Sequence, residues 1–211
     1  MKLFKTIATL ALIAAAVPAV AVQTTIDFEG TGSLSSILEF YNGGLDGAGN
    51  SGANYGVSFT SSAVSLSNDV LNTYYSNAPS PGNVMFTPDS VAFLNATDGF
   101  TNSVSFYYSS DVAAPNSVNI YSGLNGTGDL LGSFSLNNNA QTNCSDTAFC
   151  NFEQSTVTFS GTGKSISFDG SAGHTAFDNV AITPVPEPTT YALMMLGLAG
   201  IGTVARRRRS V

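Results

Sequence analysis

Asp27 and Glu29 in "IDFEG" and Asp178 in "AFDNVAI" are the side chains of this sequence best placed to do chemistry together. In the first stretch the acids alternate with Ile26 and Phe28, which puts them on the opposite face of an extended chain. In the second, Asp178 follows Phe177 and precedes Val180. If the two stretches meet at one sheet edge, their carboxylates converge with Lys164 as the one basic residue between positions 22 and 185. Like charges held together repel, and a hard, oxygen-binding cation relieves the repulsion. The expectation is a structural Ca²⁺ held by Asp27, Glu29 and Asp178, against the alternative that the acids face water on separate strands.

Other candidate residues carry less. Asp46, Asn50 and Asn54 offer oxygen ligands in the glycine-rich connection from Phe40 to Phe59, but the stretch lacks the acidic density of a calcium-binding loop, so an ordered surface loop is expected. His174 in "SAGHTAFD" has no G-x-S-x-G nucleophile elbow to serve and is expected to be an ordinary loop residue. With no phosphate loop or zinc motif, the chain is not expected to be an enzyme, although paired carboxylates for glycoside hydrolysis stay open.

The elements that must position these residues are short. "TTIDFE", "YGVSFTS", "SVSFYYS", "SVNIYSG", "GSFSL", "STVTFSG", "KSISFDG" and "TAFDNVAI" each alternate apolar and polar residues, with Gly, Asn, Pro and Ser between them. Period-two runs separated by turn signals predict an all-β, antiparallel β-sandwich over residues 22–184. Only "SLSSILEFY", from Ser33, reads as a turn or two of helix.

The N-terminus is an address. "MKLFKTIATLALIAAAVPAVA" has two lysines, an apolar run from Ile7 to Val17, and an Ala-x-Ala site ending at Ala21, so residues 1–21 are expected to be a secretory signal peptide read by the Sec machinery. Export makes Cys144 and Cys150 interpretable: an even pair in an oxidising compartment is expected to form a disulfide closing a small loop.

Charge narrows the partners. The chain has 14 acidic and 7 basic residues, and six of the basic ones sit at its two ends. The acidic middle would repel a phosphate backbone, which excludes nucleic acid as a partner.

The remaining basic residues, Arg206, Arg207, Arg208 and Arg209, close a tail that begins with "VPEP" at Val185 and continues through an apolar segment, 189–205. Pro186 and Pro188 flank Glu187 and keep the chain extended, as a protease-like site requires. The apolar segment is at the short limit for a transmembrane helix, and Gly197, Gly200 and Gly202 weaken it. Four arginines would then stop transfer through the inner membrane and hold the C-terminus in the cytoplasm.

"VPEP", the apolar segment and the arginine cluster resemble, in order, the three parts of the PEP-CTERM sorting signal, here residues 185–211. "IDFEG", "FYNGG", "NYGVSF" and "FDNVAITPVPEP" resemble the recurring core of envelope proteins that carry it, whose jelly-roll domains are similar to lectin-like and carbohydrate-binding modules. The resemblance implies processing by an exosortase of a Gram-negative, exopolysaccharide-producing cell, with Pro186, Glu187 and Pro188 as the sorting motif. It also implies a calcium joining the first and last strands at Asp27, Glu29 and Asp178. Two functions follow as expectations: a non-catalytic surface or matrix protein of an exopolysaccharide or biofilm layer, or a carbohydrate-binding module reading glycan through Tyr41, Tyr55, Tyr74, Tyr75 or Tyr107. Tyrosines on strands more often pack than bind, which weighs against the second.

Overall fold

The computed structural model describes residues 22–169 and 172–185, together with Gly197. The signal peptide, the sorting motif Pro186 to Pro188, segment 189–205 and Arg206 to Arg209 lie outside the described residues. Residues Ala21–Val185 form one compact unit, built from antiparallel strands.

The strands in chain order are β1 (Thr24–Ile26), β2 (Ser35–Ser36), β3 (Val57–Phe59), β4 (Val64–Leu66), β5 (Val84–Phe86), β6 (Ala92–Ser110), β7 (Ala114–Tyr121), β8 (Leu130–Leu136), β9 (Glu153–Phe168) and β10 (Thr175–Pro184). Hydrogen bonding runs β2-β4-β5-β10-β6-β9-β7-β8, with β1 also on β10 and β3 also on β6. The chain folds as an antiparallel β-sandwich because β6 and β9 are long enough to serve both layers. The second half of β6 pairs with β10 and the start of β9, through Ser105 with Ala181 and Thr156; its first half pairs with β3 and the end of β9, through Leu94 with Phe59 and Ile166. Between the halves the register slips, near Gly99 and Asn102 on β6 and Gly161 on β9, all at positive φ. Such bulges bend a strand sharply. "STVTFSG" and "KSISFDG" are accordingly one bent strand, with Gly161 at φ 92° supplying the kink where a turn would otherwise stand.

Between the layers the alternating apolar residues meet. Ile26, Phe28, Val57, Phe59, Leu94, Phe100, Val104, Phe106, Ile166, Phe168 and Phe177 are buried in one cluster. Phe177 packs edge-on against Phe168 at 4.9 Å and against Phe106 at 6.1 Å. A second, smaller cluster of Tyr75, Val84 and Ala176, flanked by Tyr74, Phe149 and Phe152, lies apart from it.

The helix expected in "SLSSILEFY" does not form. Ser35–Ser36 joins β4 instead, and Leu34 and Leu38 adopt left-handed φ of 54° and 50°, which an α-helix forbids. Backbone amides of Leu34 and Ile37 are drawn to Ser65 and Ala63, so the pull of the β4 edge overrides local propensity. The first strand is also shorter than its alternation implies. It ends at Ile26, and Phe28 turns to φ 62° so that its ring can still enter the core.

Candidate functional site

The first and last strands do meet: Thr24, Thr25 and Ile26 of β1 face Ile182, Ala181 and Val180 of β10. Beside this pairing, the carboxylates of Glu29 and Asp178 lie against the turn from Ser80 to Asn83, which Asp27 meets through its backbone carbonyl. Asp178 is fully buried; its Oδ2 accepts the Ser80 amide at 2.8 Å, and its Oδ1 accepts the Asn179 amide at 2.7 Å. The Ser80 hydroxyl lies within 3.0 Å of both Asp178 oxygens and of the Asp27 carbonyl. Glu29 Oε1 accepts the Gly82 and Asn83 amides at 2.8 and 3.0 Å. The absence of a side chain at Gly82 leaves room for the Glu29 carboxylate, which a Cβ there would displace.

Burial pushes the Asp178 carboxyl up to about 6, against the lowering pull of the Ser80 and Asn179 hydrogen bonds and with a smaller push from the Glu29 charge. Asp27 faces Tyr41, whose hydroxyl donates to Oδ1 at 3.4 Å. Burial, followed by the Asp27 charge, drives the Tyr41 hydroxyl far above its ordinary range. The set that meets these acids is thus made of amide and hydroxyl donors. A calcium ion joining Asp27, Glu29 and Asp178 would have to displace several of them, because Asp178 already has donors on both oxygens. Among the described residues, the set of three or more His, Cys, Asp or Glu side chains whose ligand atoms all lie within 4.8 Å of one another is Cys144, Asp146 and Cys150, so the carboxylates of Asp27, Glu29 and Asp178 are not drawn together that closely. The two sulfurs there are bonded to each other at 2.10 Å, as the disulfide expected from the sequence, so neither is a thiolate ligand.

Asp46 anchors the glycine-rich connection. Its carboxylate accepts the amides of Gly32, Ala48 and Asn50 and the Asn50 side chain, all at 2.7 to 3.0 Å. Burial works to raise its pKa, but those hydrogen bonds win and hold it below the ordinary value. Cross-strand bridges Asn42 to Asn54 and Leu45 to Ser51 complete an ordered loop. His174 is a surface residue whose Nδ1 lies 2.8 Å from Asp111 Oδ1.

The five tyrosines separate into distinct roles. Tyr41 and Tyr75 are buried; the Tyr75 hydroxyl donates to the Gly82 carbonyl at 2.8 Å with the Leu66 carbonyl 3.2 Å away as the alternative acceptor, and burial pushes that hydroxyl up to about 12. Tyr55 is 44% exposed and stacks on Tyr41 with ring centroids 6.0 Å apart and an interplanar angle of 13°. Tyr107 is half-buried on β6, opposite Asp178 and Gln154. Tyr74 lines, with Tyr75, Leu34, Leu66, Phe86 and Phe149, a mainly apolar cavity of about 390 Å³. Its outer wall includes Ala148 and Phe149, inside the disulfide loop, and Phe149 is bridged to Tyr75. Volumes of this size accommodate small ligands.

Ser80, Asn83 and Phe149 were not singled out from the sequence. Ser80 sits in "APSPGN", a turn-rich stretch with no local sign that it meets a residue 98 positions away. Phe149, next to Cys150, was legible as part of the disulfide loop but not as a cavity wall.

Among the described residues, no helix is long and apolar enough to cross a membrane. The described chain leaves β10 at Val185, whose amide donates to the Gly99 carbonyl at 3.0 Å, and the tail follows directly. Residues 184–209 match the family model described as the PEP-CTERM protein-sorting motif. No curated protein matches the chain. Among solved structures, it is similar to the K2 cleaved adhesin domain of Lys-gingipain, at 15% identity over 77% of this chain and 98% of that one, with a TM-score of 0.45. It is also similar to CsCBM6-3 from Clostridium stercorarium in complex with cellobiose, at 15% identity over 61% and 87%, with a TM-score of 0.37. A third likeness is to a beta-1,3-glucan binding CBM6 from Bacillus halodurans, at 13% identity over 77% and 96%, with a TM-score of 0.39. The chain is therefore an antiparallel β-sandwich protein carrying a PEP-CTERM protein-sorting motif at residues 184–209, the mark of export and processing to the cell envelope or surface.

Proposed function

We propose that this chain is a non-catalytic surface or extracellular-matrix protein of a Gram-negative cell, cut by an exosortase at Pro186, Glu187 and Pro188 and displayed in an exopolysaccharide or biofilm layer. The observation that supports this reading is the sorting motif at residues 184–209, following immediately on the last strand. The Sec machinery would deliver the chain, segment 189–205 would cross the inner membrane in transit, and Arg206 to Arg209 would stop transfer until cleavage. Mass spectrometry of the protein recovered from the cell exterior tests it. The expected mature chain starts near Val22 and ends between Pro186 and Pro188; a mature chain retaining Arg206 to Arg209 overturns processing.

A second reading is glycan binding, favoured by the half-buried Tyr74 at the apolar cavity and the exposed, stacked Tyr55. An aromatic face with nearby Asn side chains can hold a sugar ring. A glycan array on the exported protein should then show binding that Tyr74→Ala or Tyr55→Ala removes. A folded protein that binds nothing on the array overturns it.

A structural Ca²⁺ at Asp27, Glu29 and Asp178 is part of the same proposal. What supports it is the pairing of β1 with β10, which sets Asp27 and Glu29, just after β1, and Asp178, on β10, around one turn, in a region whose one basic residue is Lys164. The ion would take the place of donors from Ser80 and the turn that follows it.

A further inference from the structure

The two ends of the hydrogen-bonded path differ. At one end, β2 is two residues long, too short to template another strand. At the other, β8 runs seven residues, Leu130–Leu136, and among the described residues pairs only with β7. Its sequence, "LLGSFSL", has no charge and no proline, the usual devices that keep an edge from pairing. The irregularities of its pairing lie toward its ends, so Gly132, Ser133 and Phe134 stay in regular register with Ile120, Asn119 and Val118.

From this edge we infer that two copies of the chain associate by antiparallel pairing of β8 with β8, about a two-fold axis through Ser133. The occupant follows from self-complementarity. In that register Ser133 faces Ser133 of the second copy, and Gly132, with no side chain, faces Phe134. Leu130 faces Leu136, and Leu131 faces Ser135. Phe134 already packs on the core and is left half-buried, so its neighbour in the dimer must be small. Asp129, the acid directly before β8, falls opposite Asn137 rather than another acid.

Charge favours the same partner. The sandwich carries thirteen acids between Asp27 and Asp178 against Lys164, so two copies repel over most of their surfaces. They can approach where both are neutral, and β8 is such a segment. Because the same strand is used on both sides, the contact closes after two copies. One strand pair buries little area, so the association is weak and governed by local concentration, as it would be for molecules crowded at a surface.

Sedimentation velocity on the exported protein, over a concentration series, reads the inference. The wild type should shift from monomer to dimer. Ser133→Lys and Ser133→Glu each place like charges directly opposite across the axis and should weaken dimerisation roughly five-fold or more. Ser133 is exposed, and unchanged thermal melts would show that the variants fold. An equimolar mixture of the two variants should recover dimer, because Lys then faces Glu. A wild type that stays monomeric throughout overturns the inference. So does a dimer indifferent to both variants, or one that the mixture fails to restore. Growth into fibres rather than a closed dimer also overturns it.

Discussion

The Ser80 hydroxyl lies 2.6 Å from Oδ1 and 2.7 Å from Oδ2 of Asp178, fastening the turn before β5 to the last strand across 98 residues of sequence. The same oxygen is 3.0 Å from the Asp27 carbonyl. A serine hydroxyl carries one hydrogen, so it cannot serve three acceptors at once. Burial, with a smaller push from the Glu29 charge, is why protonation of Asp178 is favoured even against these hydrogen bonds.

Ser80→Ala should therefore destabilise the fold by about 2 kcal/mol, the usual loss when a buried charged acceptor gives up a donor. Urea denaturation followed by tyrosine fluorescence measures it. A change within a few tenths of a kcal/mol would show that the Ser80 and Asn179 amides satisfy Asp178 unaided.

Asp178 sets a pH dependence with a definite sign. Its folded-state pKa, about 6, lies above the ordinary 3.8, so the folded chain holds this proton more tightly than the unfolded chain. The stabilisation from protonation is full below about pH 4 and is lost as pH rises through about 6. The change is on the order of 3 kcal/mol. The chain has thirteen other Asp and Glu residues, so the readout is a difference. Measured in EDTA, the gap between wild type and Asp178→Asn should move against the wild type from pH 4 to pH 7. A gap that does not change with pH removes Asp178 as the titrating group.

Closing the small loop from Cys144 to Cys150 should stabilise the sandwich by about 2 kcal/mol, through the entropy it removes from the unfolded chain. The Cys144→Ser, Cys150→Ser double variant tests this by thermal unfolding. The expected loss is accompanied by a looser cavity wall, since Ala148 and Phe149 lie within the loop. Faster exchange of the Cys150 amide, which donates to Ala140 at 2.9 Å, would report that loosening.

The calcium proposal is tested by melts in excess Ca²⁺ and in EDTA. A cation that binds only the folded chain must raise the melting temperature, and saturation at about one hundred times its Kd is worth roughly 2.7 kcal/mol. Asp27→Asn should then abolish the rise. Identical melts would mean that no cation joins these acids and that the amides of Ser80, Gly82, Asn83 and Asn179 hold Glu29 and Asp178 in place.

Much was legible before any coordinates because it is local. Val57 and Phe59, Val104 and Phe106, or Ile166 and Phe168 reveal their strands by a period of two, and "VPEP" with its arginines reveals an address by order and composition. Cys144 and Cys150 were readable as a pair because no third cysteine competes. What stayed hidden depends on contacts distant in sequence. Leu34 and Leu38 look helical until the β4 edge claims their neighbours' amides. Tyr41 and Tyr75 look like binding residues until packing buries them. Only the tertiary structure decided that two alternating runs make one bent β9, that Ser80 meets Asp178, and that β8 is left at an open end of the sheet. A strand's sequence specifies which face is apolar; it does not specify which strand lies beside it, because that choice rests on the packing of the whole sandwich.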